Sequence, residues 1–313
     1  MKNATDLLTI AMPIFERKEF FLEALNSALN QTVKCKVIVI DNCSSHDYFE
    51  RVCKEKGVTY YRNERNIGMA GNFARGFELA ETPFVMNLQD DDQLAPNYVE
   101  AFQNAIDKYP DIDIFFTDFI RVTKQGQLPH KHTLPFGYMG KGDKVIEYGI
   151  QYRLGFPYMA SAIKKTKMNG LDKYGGVGCY DWAWIYSEAD QFSFYGDSRK
   201  LYLFRDHEMQ DTKRNLVRYV LTIPYIYEEI LKKKVSDPKL KKMAEKAALD
   251  ELVRLKAIAN KKMIREFLRT DSVFSDYLRE KLERDRLVNL LFCLPSLGVK
   301  FVYKSWRKLA AIL

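Results

Sequence analysis

The first 120 residues alternate short apolar runs with stretches in which apolar side chains recur every three or four positions. Leu7–Met12, Lys36–Asp41, Val58–Arg62, Pro83–Leu88 and Ile112–Ile120 are dense in Val, Ile, Phe and Leu and predict strands. Between them Leu22, Leu25 and Leu29 share a helical face, as do Val99, Phe102 and Ile106, with Pro96 suited to a first helical turn. This rhythm predicts an α/β fold, a mostly parallel sheet flanked by helices on both faces. In such sheets ligands gather beyond the carboxyl ends of the strands, so the polar residues just after each strand are the candidates for chemistry.

The pattern then changes twice. Residues 121–180 are rich in glycine, with Tyr138, Tyr148, Tyr152, Phe156, Tyr158 and Tyr174 interleaved. Such a stretch reads as irregular, either the lining of a cleft or a long surface connection with its own small core. From Leu216 onward the pattern is helical and studded with lysine. Leu287–Tyr303 is apolar but broken by Pro295 and Gly298 and interrupted by Lys300, which makes it poorly shaped for a membrane span. Lys300, Lys304, Arg307 and Lys308 beside Phe301, Tyr303 and Trp306 have the make-up of a helix lying in a membrane surface. A helix packed on the body of the protein or in a homo-oligomer has the same make-up. The expected organisation is a domain over 1–215, with halves 1–120 and 121–215, followed by a basic helical region over 216–313.

Charge sharpens this division. Residues 232–313 hold 21 Lys and Arg against 10 Asp and Glu, a net of +11, while the rest of the chain nets −3. A uniformly basic nucleic-acid binder is thereby excluded; the body is near neutral and the basic end suits an anionic surface. At 313 residues, 47% hydrophobic and 29% charged, the chain is an ordinary globular one with a large core. Five cysteines, an odd count without CxxC spacing, predict reduced cytosolic thiols instead of a disulfide scaffold or zinc site. Met1–Leu8 lacks the apolar core of a secretory signal, so the sequons Asn3-Ala4-Thr5 and Asn42-Cys43-Ser44 carry no weight.

The sharpest chemical feature is Leu88-Gln89-Asp90-Asp91-Asp92. Three successive carboxylates after an apolar strand repel one another, and a hard divalent cation, Mg²⁺ or Mn²⁺, relieves that repulsion. Asp92 could instead cap the helix near Pro96. No GxxxxGK[ST], GxGxxG or GxSxG segment occurs, and His207-Glu208 lacks a second histidine at the zincin spacing. Phosphate is then handled by metal and side chains, not by a glycine loop.

Four segments in order carry a resemblance. Leu8-Thr9-Ile10-Ala11-Met12-Pro13-Ile14-Phe15-Glu16-Arg17, Ile38-Val39-Ile40-Asp41-Asn42-Cys43-Ser44-Ser45, Asn66-Ile67-Gly68 through Asn72, and Leu88–Asp92 with Pro96 resemble the family 2 glycosyltransferases of the GT-A fold. The likeness is to the bacterial enzymes that build surface polysaccharides and covers roughly residues 7–210. Asn-Ile-Gly followed by Asn72-Phe73 and a triple aspartate is most similar to the abequosyltransferase-type O-antigen enzymes. Gln89 in place of an acidic residue and Phe73 in place of arginine are departures that bear on donor identity.

The resemblance implies roles position by position. Phe15 would stack on the nucleotide base at a turn shaped by Pro13, Asp41 would accept a hydrogen bond from the base, and Asp90 would contact the ribose. Asn72 is expected among the donor-binding residues. Asp91 would bind the metal, with Asp92 close by; His207 would complete the metal site or bind the diphosphate, with Arg205 adding charge. Asp181, in Gly178-Cys179-Tyr180-Asp181-Trp182, would be the catalytic base, its apolar neighbours raising its pKa. Tyr180 there replaces the family's usual glutamate. Bland readings stand beside these: core packing for Phe15, a turn for Asp41, a helix cap for Asp181, and a structural role for His207.

The whole describes an inverting, metal-dependent transfer from a nucleotide sugar, a UDP-sugar by preference, to a saccharide or lipid-linked acceptor. The enzyme is expected in the cytoplasm, peripheral on the inner face of the membrane. A sugar-1-phosphate nucleotidyltransferase would show a glycine- and arginine-rich loop where Met12-Pro13-Ile14-Phe15 stands. A non-catalytic scaffold binding through residues 216–313 is the other class.

Overall fold

The structure, a computed structural model, describes residues 3–131, 133–169, 174, 178–294 and 299. The chain forms two compact units, one of Met1–Tyr148, Gly155–Gly176 and Glu188–His207, the other of Gly149–Leu154, Val177–Ser187 and Glu208–Leu313.

The first unit is built on a ten-stranded sheet: β1 (Leu8–Ile14), β2 (Lys36–Asp41), β3 (Thr59–Arg62), β4 (Phe84–Asn87), β5 (Gln93–Leu94), β6 (Ile114–Thr123), β7 (Gly126–Pro129), β8 (Gly137–Met139), β9 (Ser161–Lys164) and β10 (Phe194–Arg205). The order is β3-β2-β1-β4-β9-β6-β10-β5, with β7 beside β6 and β8 beside β10. Pairing is parallel across β3, β2, β1 and β4 and between β6 and β10. β9 runs antiparallel between β4 and β6, and β5 runs antiparallel to β10. The sheet is thus mixed: its parallel order is concentrated in the first 90 residues. All seven residues of β1 are buried, as a central parallel strand covered on both faces requires. At the edge, β3 has three exposed positions out of four, the charged and polar dressing that blunts an open edge.

Two helical expectations shift. On Phe21–Leu29 the core takes Phe21, Ala24, Leu25 and Ala28, while Leu22 is 41% exposed, so the buried stripe is rotated from the one read off the leucines. Phe21 is larger than Leu22 and meets Phe49 edge-on at 4.9 Å, which decides the rotation. Tyr98–Lys108 buries Val99, Phe102 and Ile106 as expected, but Pro96 lies in the turn ahead of it, where the Tyr98 amide bonds to the Ala95 carbonyl. Helix Gly68–Leu79 lies so close to the sheet that a Cβ on Gly76 would come within 2.9 Å of the Ala11 Cβ. The stretch read as irregular contains β7, β8, the helix Asp143–Gln151 and β9.

The second unit is helical. Leu216–Tyr225 runs into a wider turn over Ile226–Leu231, where Pro224, which has no N–H to give, interrupts the ladder. Pro238–Ile258 opens with proline in its first turn and with Asp237 accepting from the Lys239 amide. Asn260, Ser272 and Asp285 cap Lys261–Leu268, Val273–Arg284 and Arg286–Cys293 in the same way. No helix among the described residues is long and apolar enough to cross a membrane. Lys300, Phe301, Tyr303, Lys304, Trp306, Arg307 and Lys308, the basic and aromatic end of the expected surface helix, lie outside the described residues.

Candidate active site

Parallel strands end at one edge, so the loops after β1, β2 and β4 belong to the same rim of the first unit. The loop after β1 starts at Phe15, whose ring is 43% exposed although it follows seven buried residues. Glu16 beside it takes a left-handed backbone (φ 59°), a conformation non-glycine residues adopt only when held there. The holding is visible. Ser44 Oγ accepts from the Glu16 amide at 2.9 Å, and the Glu16 carboxylate accepts from the amide and hydroxyl of Ser45 at 2.7 and 2.9 Å. The loops after β1 and β2 are thereby clasped, and Phe15 stands out as a shelf.

Asp41, at the end of β2, is fully buried. One oxygen accepts from the amide and hydroxyl of Ser44 (3.0 and 2.6 Å), the other from the Tyr60 hydroxyl (2.6 Å) and the Arg62 guanidinium (3.2 Å). Four donors match the four lone-pair directions of a carboxylate. A base would reach Asp41 only in place of one of them, and half-exposed Arg62 is the one able to turn aside. Asn72 is also turned inward. It is 3% exposed, its oxygen accepts from Asn63 at 2.9 Å and its nitrogen donates to the Ile40 carbonyl at 3.0 Å. Expected to touch the donor, it instead knits β2 to the helix Gly68–Leu79, together with Asn42, Asn63 and Asn66. Its contacts in this structure, to the Asn63 amide and the Ile40 carbonyl, lie inside the fold.

The three aspartates after β4 are all buried, at 6%, 4% and 1% exposure. β5 pairs with Tyr202 and Leu203, which places the triplet against the end of β10. Asp92 takes the Tyr202 hydroxyl on one oxygen (2.6 Å) and the Arg205 amide on the other (2.7 Å). Neither expected role, cap or ligand, matches this arrangement as well as that of a staple, because both oxygens face donors of β10. The Arg205 guanidinium lies 4.5 Å from the Phe20 ring and donates to the Asp91 carbonyl (2.8 Å) and to Glu23 (2.6 Å). His207 packs against the same ring at 4.8 Å and reaches Asp91 Oδ2 at 2.9 Å.

Asp90 and Asp91 share a cation that sequence reasoning passed over. The Arg17 guanidinium donates to both oxygens of Asp90 and lies 2.8 Å from Asp91 Oδ2. Burial nevertheless outweighs this partner at Asp90, whose carboxyl is pushed up to about 6, with the Asp91 charge adding to the rise. Asp92 is pushed well above the usual carboxylate range by burial and then by Asp91, against the Tyr202 hydroxyl. Asp91 Oδ1 is buried and has no hydrogen-bond partner among the described residues. An orphaned carboxylate oxygen in such a place calls for an explanation.

A hard divalent cation fits it. Mg²⁺ and Mn²⁺ are commonly held by one or two side chains, with phosphate and water completing the shell, and Asp91 Oδ1 with His207 offers that number. Among the described residues, no three His, Cys, Asp or Glu side chains are grouped to hold a metal by themselves.

Asp181 belongs to the second unit, in the first turn of the helix Tyr180–Glu188. Its carboxylate accepts from the Trp182 amide at 2.9 Å, and burial pushes its pKa up to about 6. It therefore sits one residue inside the helix, bonded to the next amide, with a raised pKa.

Comparison with known proteins agrees with the fold. The sequence model described as Glycosyl transferase family 2 matches residues 9–165, half of the chain. Abequosyltransferase RfbV of Salmonella typhimurium is 28% identical over 114 residues, 34% of this chain and 34% of that protein. A Haemophilus influenzae protein named as an uncharacterized glycosyltransferase is 31% identical over 115 residues, 35% of this chain and 38% of its own length. The chain thus matches these relatives over little more than a third of their length. The crystal structure of Staphylococcus aureus TarS 1–349 in complex with UDP-GlcNAc superposes with a TM-score of 0.63 at 14% identity, covering 96% of this chain and 92% of that one. At that identity the likeness is one of fold. From the strand–rim architecture and the family match together, the chain belongs to glycosyl transferase family 2.

Proposed function

We propose that this protein is an inverting glycosyltransferase that moves a sugar from a nucleotide-sugar donor to a saccharide or lipid-linked acceptor of a surface polysaccharide. The observation that carries the reading is the orphaned Oδ1 of Asp91, buried at the carboxyl edge of parallel strands beside His207. A UDP-sugar is the preferred donor class, supported by the UDP-GlcNAc held by TarS.

In this reading the Phe15 ring stacks on the base, and Asp41 fixes the loop beneath it and receives the base when Arg62 turns aside. Asp90 meets the ribose. Asp92 and Arg205 hold the rim to β10, and Arg205 adds positive charge near the diphosphate. A divalent cation bound through Asp91 and His207 supplies charge neutralisation for the departing nucleoside diphosphate. Asp181 removes the proton from the acceptor hydroxyl as it attacks the anomeric carbon; one displacement needs one base, and it inverts that centre. The catalytic domain is assigned to 1–215.

The basic helical region 216–313 is assigned to the inner face of the cell membrane, where lipid-linked acceptors would be met. Leu287, Leu290 and Leu294, 75%, 60% and 45% exposed, support this, since apolar side chains at such spacing present one face to a lipid surface.

The test is release of nucleoside diphosphate from a panel of nucleotide sugars, UDP-GlcNAc first, with and without Mn²⁺. Release that depends on Mn²⁺ and is lost in Asp91→Ala supports the reading. Release undiminished in that variant removes Asp91 from it.

A further inference from the structure

Arg17 and Arg205 both stand at the acidic rim, and they are held in opposite ways. Arg205 is fixed on four sides: Phe20 beneath its guanidinium, the Asp91 carbonyl, Glu23, and its own amide on Asp92. Arg17 has no aromatic ring or backbone carbonyl against its guanidinium among the described residues; its amide bonds to the Phe15 carbonyl at 2.6 Å. The hydrogen bonds its guanidinium makes among the described residues go to the rim carboxylates, and its side chain is 23% exposed. It therefore has a way out, along a flexible stem, that Arg205 lacks.

Its position adjoins the one assigned to a dication, on the other oxygen of the same carboxylate. The guanidinium lies 2.8 Å from Asp91 Oδ2, the oxygen that also faces His207, while the other oxygen of the same carboxylate has no partner. A dication on Asp91 and a guanidinium on the same carboxylate repel each other at contact range in a poorly solvated place. A diphosphate changes the balance, since the planar fork of arginine pairs with phosphate oxygens as well as with carboxylate oxygens.

We propose that Arg17 is a built-in counter-ion of the rim: it holds Asp90 and Asp91 against free divalent cations and is drawn onto the diphosphate when nucleotide arrives. Nucleotide and cation then bind in mutual dependence, and the empty enzyme resists loading with metal alone. This rests on the reading of Asp91 as the cation's ligand. Arg17 is a positioning residue here, and its effect lies in binding order.

The test measures Mn²⁺ affinity of the full-length chain by electron paramagnetic resonance of free Mn²⁺, without nucleotide, for the wild type, Arg17→Ala and Arg17→Gln. Both variants are expected to bind Mn²⁺ at least ten-fold more tightly than the wild type, and adding Asp91→Asn to either is expected to abolish the gain. Thermal melts with UDP and Mn²⁺ separately and together form the second arm: the wild type should show a larger joint shift than the sum of the two, Arg17→Ala a nearly additive one. Unchanged Mn²⁺ affinity in both Arg17 variants, with the wild-type UDP shift still dependent on Mn²⁺ and on Asp91, overturns the proposal and leaves the Asp91 assignment standing. A UDP shift indifferent to Mn²⁺ and to Asp91→Asn overturns both.

Discussion

Asp41 ends β2 and Asp91 follows β4 at one sheet edge; both are buried, and they differ in their hydrogen bonds. Asp41 faces four donors and has no oxygen left over; Asp91 keeps one oxygen without a partner. A buried carboxylate with all its hydrogen bonds made stabilises the fold, whereas one left incomplete costs stability that only a ligand returns. The comparison separates a carboxylate whose hydrogen bonds are complete from one left incomplete, a distinction burial alone does not make.

Substitution sharpens it. Asp91→Asn is expected to lower the transfer rate roughly 10³-fold, the scale of losing electrostatic stabilisation of a leaving group, while shifting the melting temperature less than Asp41→Asn does. Rates and calorimetric melts of the two variants check this; the reverse order of melting temperatures breaks the comparison. Asp181→Asn should lower the rate about 10²–10⁴-fold, the usual range for a lost general base. Because the folded pKa of Asp181 is raised to about 6, wild-type activity rises with pH through that value as the base ionises, and this limb should vanish in the variant. The linkage has the opposite sign for stability: between the unfolded value near 4 and about 6 the folded state holds the extra proton, so stability falls as pH rises across that window. Asp181→Asn should therefore melt higher at pH 7.

Smaller effects test the Asp41 side. Asp41→Asn leaves Tyr60 and Arg62 facing an amide and should cost about 2–3 kcal/mol of unfolding free energy, measured by urea denaturation. Phe15→Ala should raise KM roughly ten-fold with little change in melting, since the exposed ring is the one proposed to stack on the base and packs no core. Tyr60→Phe removes one donor of four and should cost about 1 kcal/mol. A Tyr60 variant that costs as much as Asp41→Asn would show that the four bonds do not act separately.

Much of the fold was legible because parallel strands write themselves as apolar runs. β1, β2, β3, β4 and β6 lie within two residues of the predicted starts, and the rim follows from where they end. β9 and β5 were not legible. Their antiparallel pairing joins residues distant in sequence, and a two-residue strand has no periodicity to read. The acidic triplet declared itself by its position after a strand, and Phe15 through the family resemblance. Asn72 could not be placed from the sequence, because an amide reads alike whether it faces a ligand or a backbone carbonyl. Arg17 was missed since one arginine past a turn resembles any solvated charge; its signal was that the turn opens onto the same edge as residues 90–92.

The staple between Asp92 and β10 has a consequence for how the protein is born. Its partners are separated by 110 and 113 residues, so at roughly 5–20 residues per second the ribosome delivers Tyr202 about 5–20 s after the aspartate that awaits it. Through that interval the nascent chain carries three crowded carboxylates with no strand to tether them. A cell expressing this protein thus makes the scaffold early and its reactive margin last, and a message cut before codon 194 yields a sheet without a grip.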